Sequence, residues 1–307
     1  MVPNLMQVTP DGMLRLVMET RGLIEGPMGD CQAGYPVWNP KGKSLYLTGP
    51  NCLRRVVKKP DGSRWVEVVA SIPNKEGYQD GPAKGAMFNN WPQKRGVVCN
   101  SRGVFFWLEG QRGPYGGRLR RIENGTVSTV PLEFKGKHPN ERFNWPFGRG
   151  MLSLGENDDT LYINSYWMPR GVFRYDLKTG ELTRVCGVRR REDKYKRWDH
   201  AADGPALTHA NARGAICSLY HPFYNAIWFW GPDEGRFRWL PLDGDGWVRA
   251  VFAARRPETK VRFNRFKHSN VLGVPGEQIG FSHCCGVDSK GGGYAQGGNK
   301  DISGFWR

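Results

Sequence analysis

Short hydrophobic segments separated by polar turns run along the chain, and the stretch that begins at Arg149 shows the pattern most clearly. Four such segments cover residues 149–154, 160–164, 172–176 and 181–185, with polar or glycine-bearing turns between them. Runs of about four to eight residues bounded by turn residues are typical of β-strands. The pattern therefore predicts four short strands joined by tight turns.

The same order of signals recurs with a period of about 55 residues. One motif reads DGPAKGAMFNNWPQKRGVV from Asp80, RFNWPFGRGMLSL from Arg142 and DGPALTHANARGAICSL from Asp203, with weaker copies from Cys31 and Arg262. Four strands per repeat at this spacing are typical of a β-propeller blade, so the predicted fold is all-β. The predicted blades begin near Tyr35, Phe88, Phe143, Thr208 and Phe263.

The two ends of the chain are expected to share one blade. Residues 1–20 offer two strands, at 5–8 and 13–17, without the two strands that should precede them, while the segment after Phe263 supplies early strands. Completing the last blade from both ends removes exposed sheet edges. Residues 1–307 then form a single propeller of about five four-stranded blades, and residues 271–307 leave room for a sixth.

The copy from Asp80, together with RLRRIENGTVSTV from Arg118, resembles the NHL repeat, in which DGxxxAxFxxPxG precedes a strand and RIRxIxxGxV. The resemblance is close in this copy and weak at both ends of the chain. It implies a β-propeller without a particular activity, because NHL propellers include binding scaffolds, lyases and lactonases. No short segment here matches a catalytic signature of those groups.

The charge of the chain adds a preference for anionic partners. Lys and Arg number 45 against 29 Asp and Glu, a formal net charge of +16. Such a field favours acidic glycans, other anionic small molecules, nucleic acid or membrane surfaces. Because the basic residues are scattered among acidic ones, apart from residues 189–191, an ordinary solvated basic surface is the simpler alternative.

The cysteines and the chain start leave the compartment open. Seven cysteines without CxxC spacing argue against a zinc ribbon or a dense disulfide framework, and predict small core residues. No apolar stretch is long enough to span a bilayer, and the start lacks the layout of a signal peptide. A cytoplasmic protein fits these features, and so does an extracellular or periplasmic one whose signal was removed.

Three arginines are the first candidates for a ligand site. In a propeller, the loops into the first strands and those between the second and third strands meet at one face. Aligned on the Arg-Gly pair, Arg95, Arg149 and Arg213 are equivalent. Guanidinium groups at such a face suit bidentate capture of carboxylate, sulfate or phosphate. The alternative is that each arginine is a strut between blades.

A histidine interrupts the repeat close to these arginines. Trp91 and Trp145 stand five positions before the glycine of their Arg-Gly pairs, and His209 takes that place in the third copy. A local break in a repeat is where a site is expected. A neutral imidazole at His209 could act as a base or a metal ligand, or simply fill a slot that tryptophan fills elsewhere.

Two function hypotheses from different classes use these residues. The first is an enzyme, a lyase or lactone hydrolase acting on an acidic saccharide, with His209 as general base and Tyr166 and His200 as further catalytic candidates. The ligand-binding residues would be Arg95, Arg149, Arg213, Trp91, Trp145 and Arg170. The second is a non-catalytic propeller that binds a glycan or a protein with the same groups. Nucleic acid is the least favoured partner.

A metal site is a further possibility on the same face. His209, His268 and His283 could hold a divalent ion such as calcium or zinc if the loops converge, although no HxH or HExxH spacing supports this. Otherwise no cofactor is expected. For the core, we expect inner-strand residues to be buried between blades. These residues are Val97, Phe106, Leu152 and Ile216.

Overall fold

The computed structural model describes residues 5–8, 14–18, 21–49, 51–89, 92–109, 118–131, 133–134, 150–165, 171–187, 204–207, 217–231, 236–253, 281–287, 293–298 and 303–306. In these ranges every regular element is a β-strand, apart from a short 3-10 turn at Met28–Asp30. The all-β prediction is therefore confirmed. The same ranges contain no helix with the length and apolar character that crossing a membrane requires.

The chain divides into two compact units, and the first comprises residues 1–131 and 144–152. Its N-terminal hairpin pairs β1 (Leu5–Val8) with β2 (Leu14–Met18). The first sheet has the order β3-β7-β6-β5-β4 and consists of β3 (Gly26–Pro27), β4 (Pro36–Asn39), β5 (Ser44–Gly49), β6 (Cys52–Lys58) and β7 (Arg64–Ala70). The second sheet has the order β8-β12-β11-β10-β9 and consists of β8 (Gly81–Pro82), β9 (Pro92–Cys99), β10 (Phe105–Glu109), β11 (Arg118–Glu123) and β12 (Thr126–Thr129).

The second unit comprises residues 132–143 and 153–307, and the boundary between the units falls within β14. The third sheet has the order β13-β17-β16-β15-β14 and consists of β13 (Glu133–Phe134), β14 (Gly150–Leu154), β15 (Thr160–Ser165), β16 (Gly171–Asp176) and β17 (Glu181–Cys186). The fourth sheet has the order β18-β22-β21-β20-β19 and consists of β18 (Gly204–Pro205), β19 (Cys217–His221), β20 (Ala226–Gly231), β21 (Arg236–Pro241) and β22 (Trp247–Ala253). A fifth sheet has three strands, β23 (Phe281–Val287), β24 (Gly293–Gly298) and β25 (Ser303–Trp306).

Four sheets thus contain four consecutive strands in the order of a propeller blade. Their first strands begin at Pro36, Pro92, Gly150 and Cys217, between one and nine residues after the predicted blade starts. The predicted start near Phe263 lies outside the described residues. Four-stranded antiparallel sheets are therefore confirmed, whereas the number of blades and a single ring over residues 1–307 stay predictions.

The shared terminal blade also stays a prediction. The hairpin β1–β2 forms a sheet of its own, and so do β23–β25; within the described ranges no strand pairing links these two sheets. Met18, at the end of β2, is buried in a core with Met28, Cys31 and Leu47 of the first unit. The hairpin therefore packs on the first sheet.

The Gly-Pro pairs of the repeated motif form a short fifth strand at the outer edge of three sheets. These pairs are β3, β8 and β18, and each pairs with the fourth strand of its own sheet. Their glycines, Gly26, Gly81 and Gly204, have φ angles of 135°, 126° and 159°. Backbone in this region is open to glycine and costly for other residues, so the motif requires glycine at these places.

The alanine after Gly-Pro joins consecutive sheets. The Ala83 amide donates to the carbonyl of Gly125 in the same sheet (2.7 Å), while the Ala83 carbonyl accepts from Ser71 (2.7 Å), which follows the previous sheet. In the second unit, Ala206 likewise donates to Gly246 (2.8 Å) and accepts from Gly187 (3.0 Å). The repeated sequence DGPA is therefore a structural connection between neighbouring sheets.

Hydrophobic side chains fill the space between consecutive sheets. In the first unit, Leu53 and Ala70 of the first sheet share a core with Val97 and Trp107 of the second. The predicted burial of Val97, Phe106 and Leu152 is confirmed, and Ile216 lies outside the described residues. Four cysteines, Cys31, Cys52, Cys99 and Cys186, are buried and free, as expected for small core residues.

Replacing Leu152 with Ala should lower the free energy of unfolding by about 2–4 kcal/mol, because truncating a buried leucine leaves a cavity. Leu152 is 5% exposed, whereas Leu207 is 56% exposed and serves as the matched control. Leu207→Ala should cost about 0.5 kcal/mol or less. Urea denaturation of both variants measures this difference, and equal losses would mean that β14 is not a covered strand.

Candidate functional site

Most of the candidate residues chosen from the sequence lie outside the described part of the chain. This group consists of Trp91, Trp145, Arg149, Tyr166, Arg170, His200, His209, Arg213 and His268. Arg95 lies in β9 and His283 in β23, as backbone positions. The ligand-binding, catalytic and metal-binding roles given to these residues stay predictions.

The backbone at Arg95 lies in an irregularity of the second sheet. Val97 of β9 is opposite Trp107 of β10, and Pro92 is opposite Glu109, with a shift of register between the two pairs. Five steps along β9 therefore correspond to two steps along β10. Arg95 lies in the extra length of β9, which is a bulge.

This bulge changes the comparison between Arg95 and Arg213. Val97 pairs with Trp107 of the second strand, and Trp107 lies opposite Arg120 of the third strand. In the fourth sheet, Ser218 pairs with Phe229, which lies opposite Arg238, so Ser218 is the counterpart of Val97. Arg213 is five residues before Ser218, while Arg95 is two residues before Val97. The strand register does not support the expected equivalence of these two arginines. A common role for them therefore cannot rest on the repeat.

A buried carboxylate, Glu109, lies at the end of β10 and was not among the candidates chosen from the sequence. Four buried apolar residues precede it in the strand, and Glu109 itself is fully buried. Its Oε1 accepts hydrogen bonds from Nη1 of Arg120 (2.9 Å) and from the backbone N–H of Asn89 (3.2 Å). Its Oε2 is buried and has no hydrogen-bond partner among the described residues.

Arg120 binds the connector, the segment that precedes the first strand of a sheet, which for the second sheet is residues 71–91. Besides Glu109, the buried guanidinium donates to the carbonyls of Gln79 (3.0 Å) and Met87 (3.3 Å) and to Oδ1 of Asp80 (2.6 Å). The backbone N–H of Thr129, in β12, donates to the other carboxylate oxygen of Asp80 (3.0 Å). These bonds hold the connector against β11 and β12.

Arg54 plays the same part in the first sheet. Its Nη1 donates to the carbonyls of Ile24 (3.2 Å) and Gln32 (2.8 Å). The spacing matches that of the second sheet. Ile24 directly precedes Glu25 as Gln79 precedes Asp80, and the second acceptors, Gln32 and Met87, each lie seven residues after the acidic residue. Glu25 also accepts from the fourth strand, at the N–H of Val68 (3.1 Å). A buried third-strand arginine is therefore a repeated structural strut.

Glu109 sets the second sheet apart from the others. In all four sheets, the last residue of the second strand lies opposite the first residue of the third strand. These residues are Gly49, Glu109, Ser165 and Gly231. A Cβ atom at Gly49 would lie 2.7 Å from Nε of Arg54, so glycine leaves room for that guanidinium. In the second sheet, a carboxylate stands beside the guanidinium instead.

The Glu109 cluster consists of Glu109, Arg120, Asp80, Asn89 and Tyr78. Burial raises the pKa of Glu109 to about 7, although the positive charge of Arg120 and the Asn89 N–H oppose the rise. The Asn89 side-chain amide donates to the Tyr78 hydroxyl, and burial also raises the pKa of that phenol. The cluster can therefore gain or lose a proton near neutral pH.

A second polar cluster, in the second unit, has both carboxylate oxygens paired. Glu156 accepts from the Tyr162 hydroxyl (3.0 Å) and from Nη2 of Arg174 (3.1 Å), which also donates to Thr160 (3.2 Å). Although burial opposes it, these bonds hold the pKa of Glu156 below its ordinary value. The arrangement fits a structural ion pair that fixes the hairpin between β14 and β15.

The described residues include no group of three or more His, Cys, Asp or Glu side chains placed to hold a metal ion. The predicted set of His209, His268 and His283 lies largely outside those residues. A calcium or zinc site in the loops therefore stays a prediction.

No protein-family model and no curated protein matches the chain. Among solved structures, a putative TolB from Agrobacterium tumefaciens is 13% identical with a TM-score of 0.49, and covers 88% of this chain and 71% of its own. A streptogramin B lyase structure is 14% identical with a TM-score of 0.45, over 99% and 72% of the chains. TolB from Acinetobacter baumannii is 10% identical with a TM-score of 0.43, over 71% and 43%. This chain thus spans less than half of that TolB, and values this low establish neither a family nor an activity.

Replacing Arg120 with Met should lower the free energy of unfolding by about 3–5 kcal/mol, because Glu109 would lose its charged partner and two connector carbonyls would each lose one of their donors. The neighbouring Arg121 is the matched control, since its side chain is 47% exposed and pairs with Glu123. Arg121→Met should cost less than about 1 kcal/mol. Chemical denaturation compares the variants, and a similar loss in both would contradict the strut.

The stability of the native protein should depend on the proton of Glu109. Its pKa is about 7 in the folded chain and 4.5 in its ordinary state, so folding takes up a proton between these values. The contribution of this group is therefore fully present below about pH 4.5 and is lost as pH rises through about 7.

The variant Glu109→Gln should lack this loss, which denaturation curves at a series of pH values would measure. Glu67→Gln is the control, because Glu67 is partly exposed, binds Lys59 and Arg55, and has a lowered pKa. This control should keep the pH dependence of the wild type between about pH 5 and about pH 8. An unchanged pH dependence in Glu109→Gln would contradict the assignment.

Proposed function

We propose that this chain is a β-propeller that binds an anionic ligand, with an acidic saccharide as the favoured class. The observation that carries the proposal is the presence, in the sequence, of an arginine within or shortly before the first strand of three sheets, and it does not require the three to be equivalent in register. Arg95 lies within β9, Arg149 directly precedes β14, and Arg213 precedes β19 by four residues. In each sheet this end also carries the end of the second strand, where the second-to-third-strand loop begins.

The chemistry of these residues suits a ligand with carboxylate groups. A guanidinium group binds a carboxylate through two parallel hydrogen bonds, and the net charge of +16 attracts anions. Trp91, Trp145 and Tyr166 provide flat rings that can stack on sugar faces, and Arg170 adds a further cation in a second-to-third-strand loop. The alternative ligand for the same groups is a protein with an acidic surface.

Binding should be tested by calorimetric titration with galacturonate and glucuronate oligosaccharides. Arg149→Ala and Arg213→Ala should each weaken binding by about 1–3 kcal/mol without loss of the fold, because each removes a charge-assisted hydrogen bond. Arg249 is the control arginine, since it is exposed and paired with Asp245 in the same unit. Equal effects of all three substitutions, or no binding of any acidic saccharide, would contradict the proposal.

Product formation distinguishes catalysis from binding alone. A lyase cleaves these oligosaccharides and forms an unsaturated uronate that absorbs ultraviolet light, whereas a lactone hydrolase is assayed with the corresponding sugar lactones, whose hydrolysis releases acid. If His209 is the general base, with Tyr166 and His200 beside it, His209→Ala should lose about 10²–10⁴-fold in rate and keep its affinity. Binding without product formation would favour the non-catalytic alternative.

A further inference from the structure

We propose that Glu109 is a positioning residue for the proposed ligand site, because its buried carboxyl fixes the chain at Asn89, from which the segment carrying Trp91 and Arg95 continues. This inference rests on the proposed function for the role of that segment. The contacts of Glu109 themselves are independent of it.

The chain is anchored in two steps before it reaches this segment. Phe88 is fully buried and stacks on Trp107 with ring centroids 4.6 Å apart, and its N–H donates to Ser71 (3.1 Å). The next residue, Asn89, donates its N–H to Glu109 (3.2 Å) and its side-chain amide to Tyr78. Glu109 is thus the strand residue that holds the connector at Asn89.

The charges around Glu109 determine how firmly it holds Asn89. From β11, the guanidinium of Arg120 binds it at 2.9 Å, and Arg118 lies opposite it in the ladder. From the connector, Asp80 shares Arg120 with it, and Tyr78 reaches it through Asn89. From β9, the residue opposite is the uncharged Pro92.

The ionised carboxylate is incompletely compensated in this environment. Oε1 receives both donors, while the buried Oε2 receives none from the described residues. A buried carboxylate oxygen without a donor is unfavourable, and this agrees with a pKa raised by burial to about 7. In an open arrangement that lets water reach Glu109, the carboxyl group of Glu109 would have its ordinary pKa. Rising pH therefore favours release of Asn89 from Glu109.

The test uses the full chain as wild type, Glu109→Gln and the control Glu67→Gln. Hydrogen exchange of the backbone amide of Asn89, corrected for the intrinsic effect of pH, is measured without ligand. We expect wild-type protection to fall by about tenfold between about pH 6 and about pH 8. Glu109→Gln should show no such fall, because glutamine cannot lose a proton, and Glu67→Gln should follow the wild type.

The second measurement is the affinity for trigalacturonate over the same pH range. Between about pH 6 and about pH 8 the wild type and Glu67→Gln should lose more affinity than Glu109→Gln, because other groups that titrate in this range affect all three proteins alike. Constant wild-type protection of Asn89, or the same pH profile in Glu109→Gln as in the wild type, would overturn the inference. If protection changes as expected and trigalacturonate does not bind, the positioning of the segment stands and the proposed ligand class fails.

Discussion

The packing of the connector on the sheets depends on one interaction, the hydrogen bonds of a buried third-strand arginine to connector carbonyls. The connector pairs with a sheet through its Gly-Pro dipeptide, and the carbonyls of Ile24 and Gln32 receive no backbone donor from the described residues. A buried carbonyl without a donor is costly. Because a guanidinium carries five donors in a planar fork, Arg54 can satisfy Ile24 and Gln32 at once. One side chain thus does what a strand ladder does elsewhere.

Burying this cation requires compensation, and the first two sheets solve the problem differently. Arg54 is surrounded by carbonyl oxygens, and burial lowers its pKa. Arg120 has two carboxylates, Asp80 and Glu109, as well as carbonyls. The second solution gives the guanidinium a full counter-charge, but it also introduces a buried acid that can titrate. The strut and the raised pKa of Glu109 therefore have the same origin, the burial of Arg120 beside a carboxylate.

Local features of the fold could be predicted from the sequence, whereas features that depend on strand register could not. Turn residues and short apolar runs are local signals, so the four-stranded sheets were predicted with starts between one and nine residues early. The role of the Gly-Pro pair could not be predicted in this way, because the pair acts as a strand only by pairing with a fourth strand more than 35 residues further along the chain. The struts did have a signal, since Leu-Arg-Arg recurs at residues 53–55 and 119–121, inside otherwise apolar strands. A charge at such a place points to a buried partner, and Glu109 at the end of an apolar run is a signal of the same kind.

Register also separates the arginines that the fold requires from those it does not. Arg54, Arg120 and Arg238 lie at matching places in their third strands and are almost completely buried. Guanidinium groups so placed donate to the protein and are not accessible for direct hydrogen bonds to a ligand in solvent. Arg95 lies in a bulge of β9 and is closer to Val97 along the chain than Arg213 is to Ser218, so the repeat does not fix it there. An arginine repeated in register is evidence for a strut, and one out of register is the better candidate for a ligand.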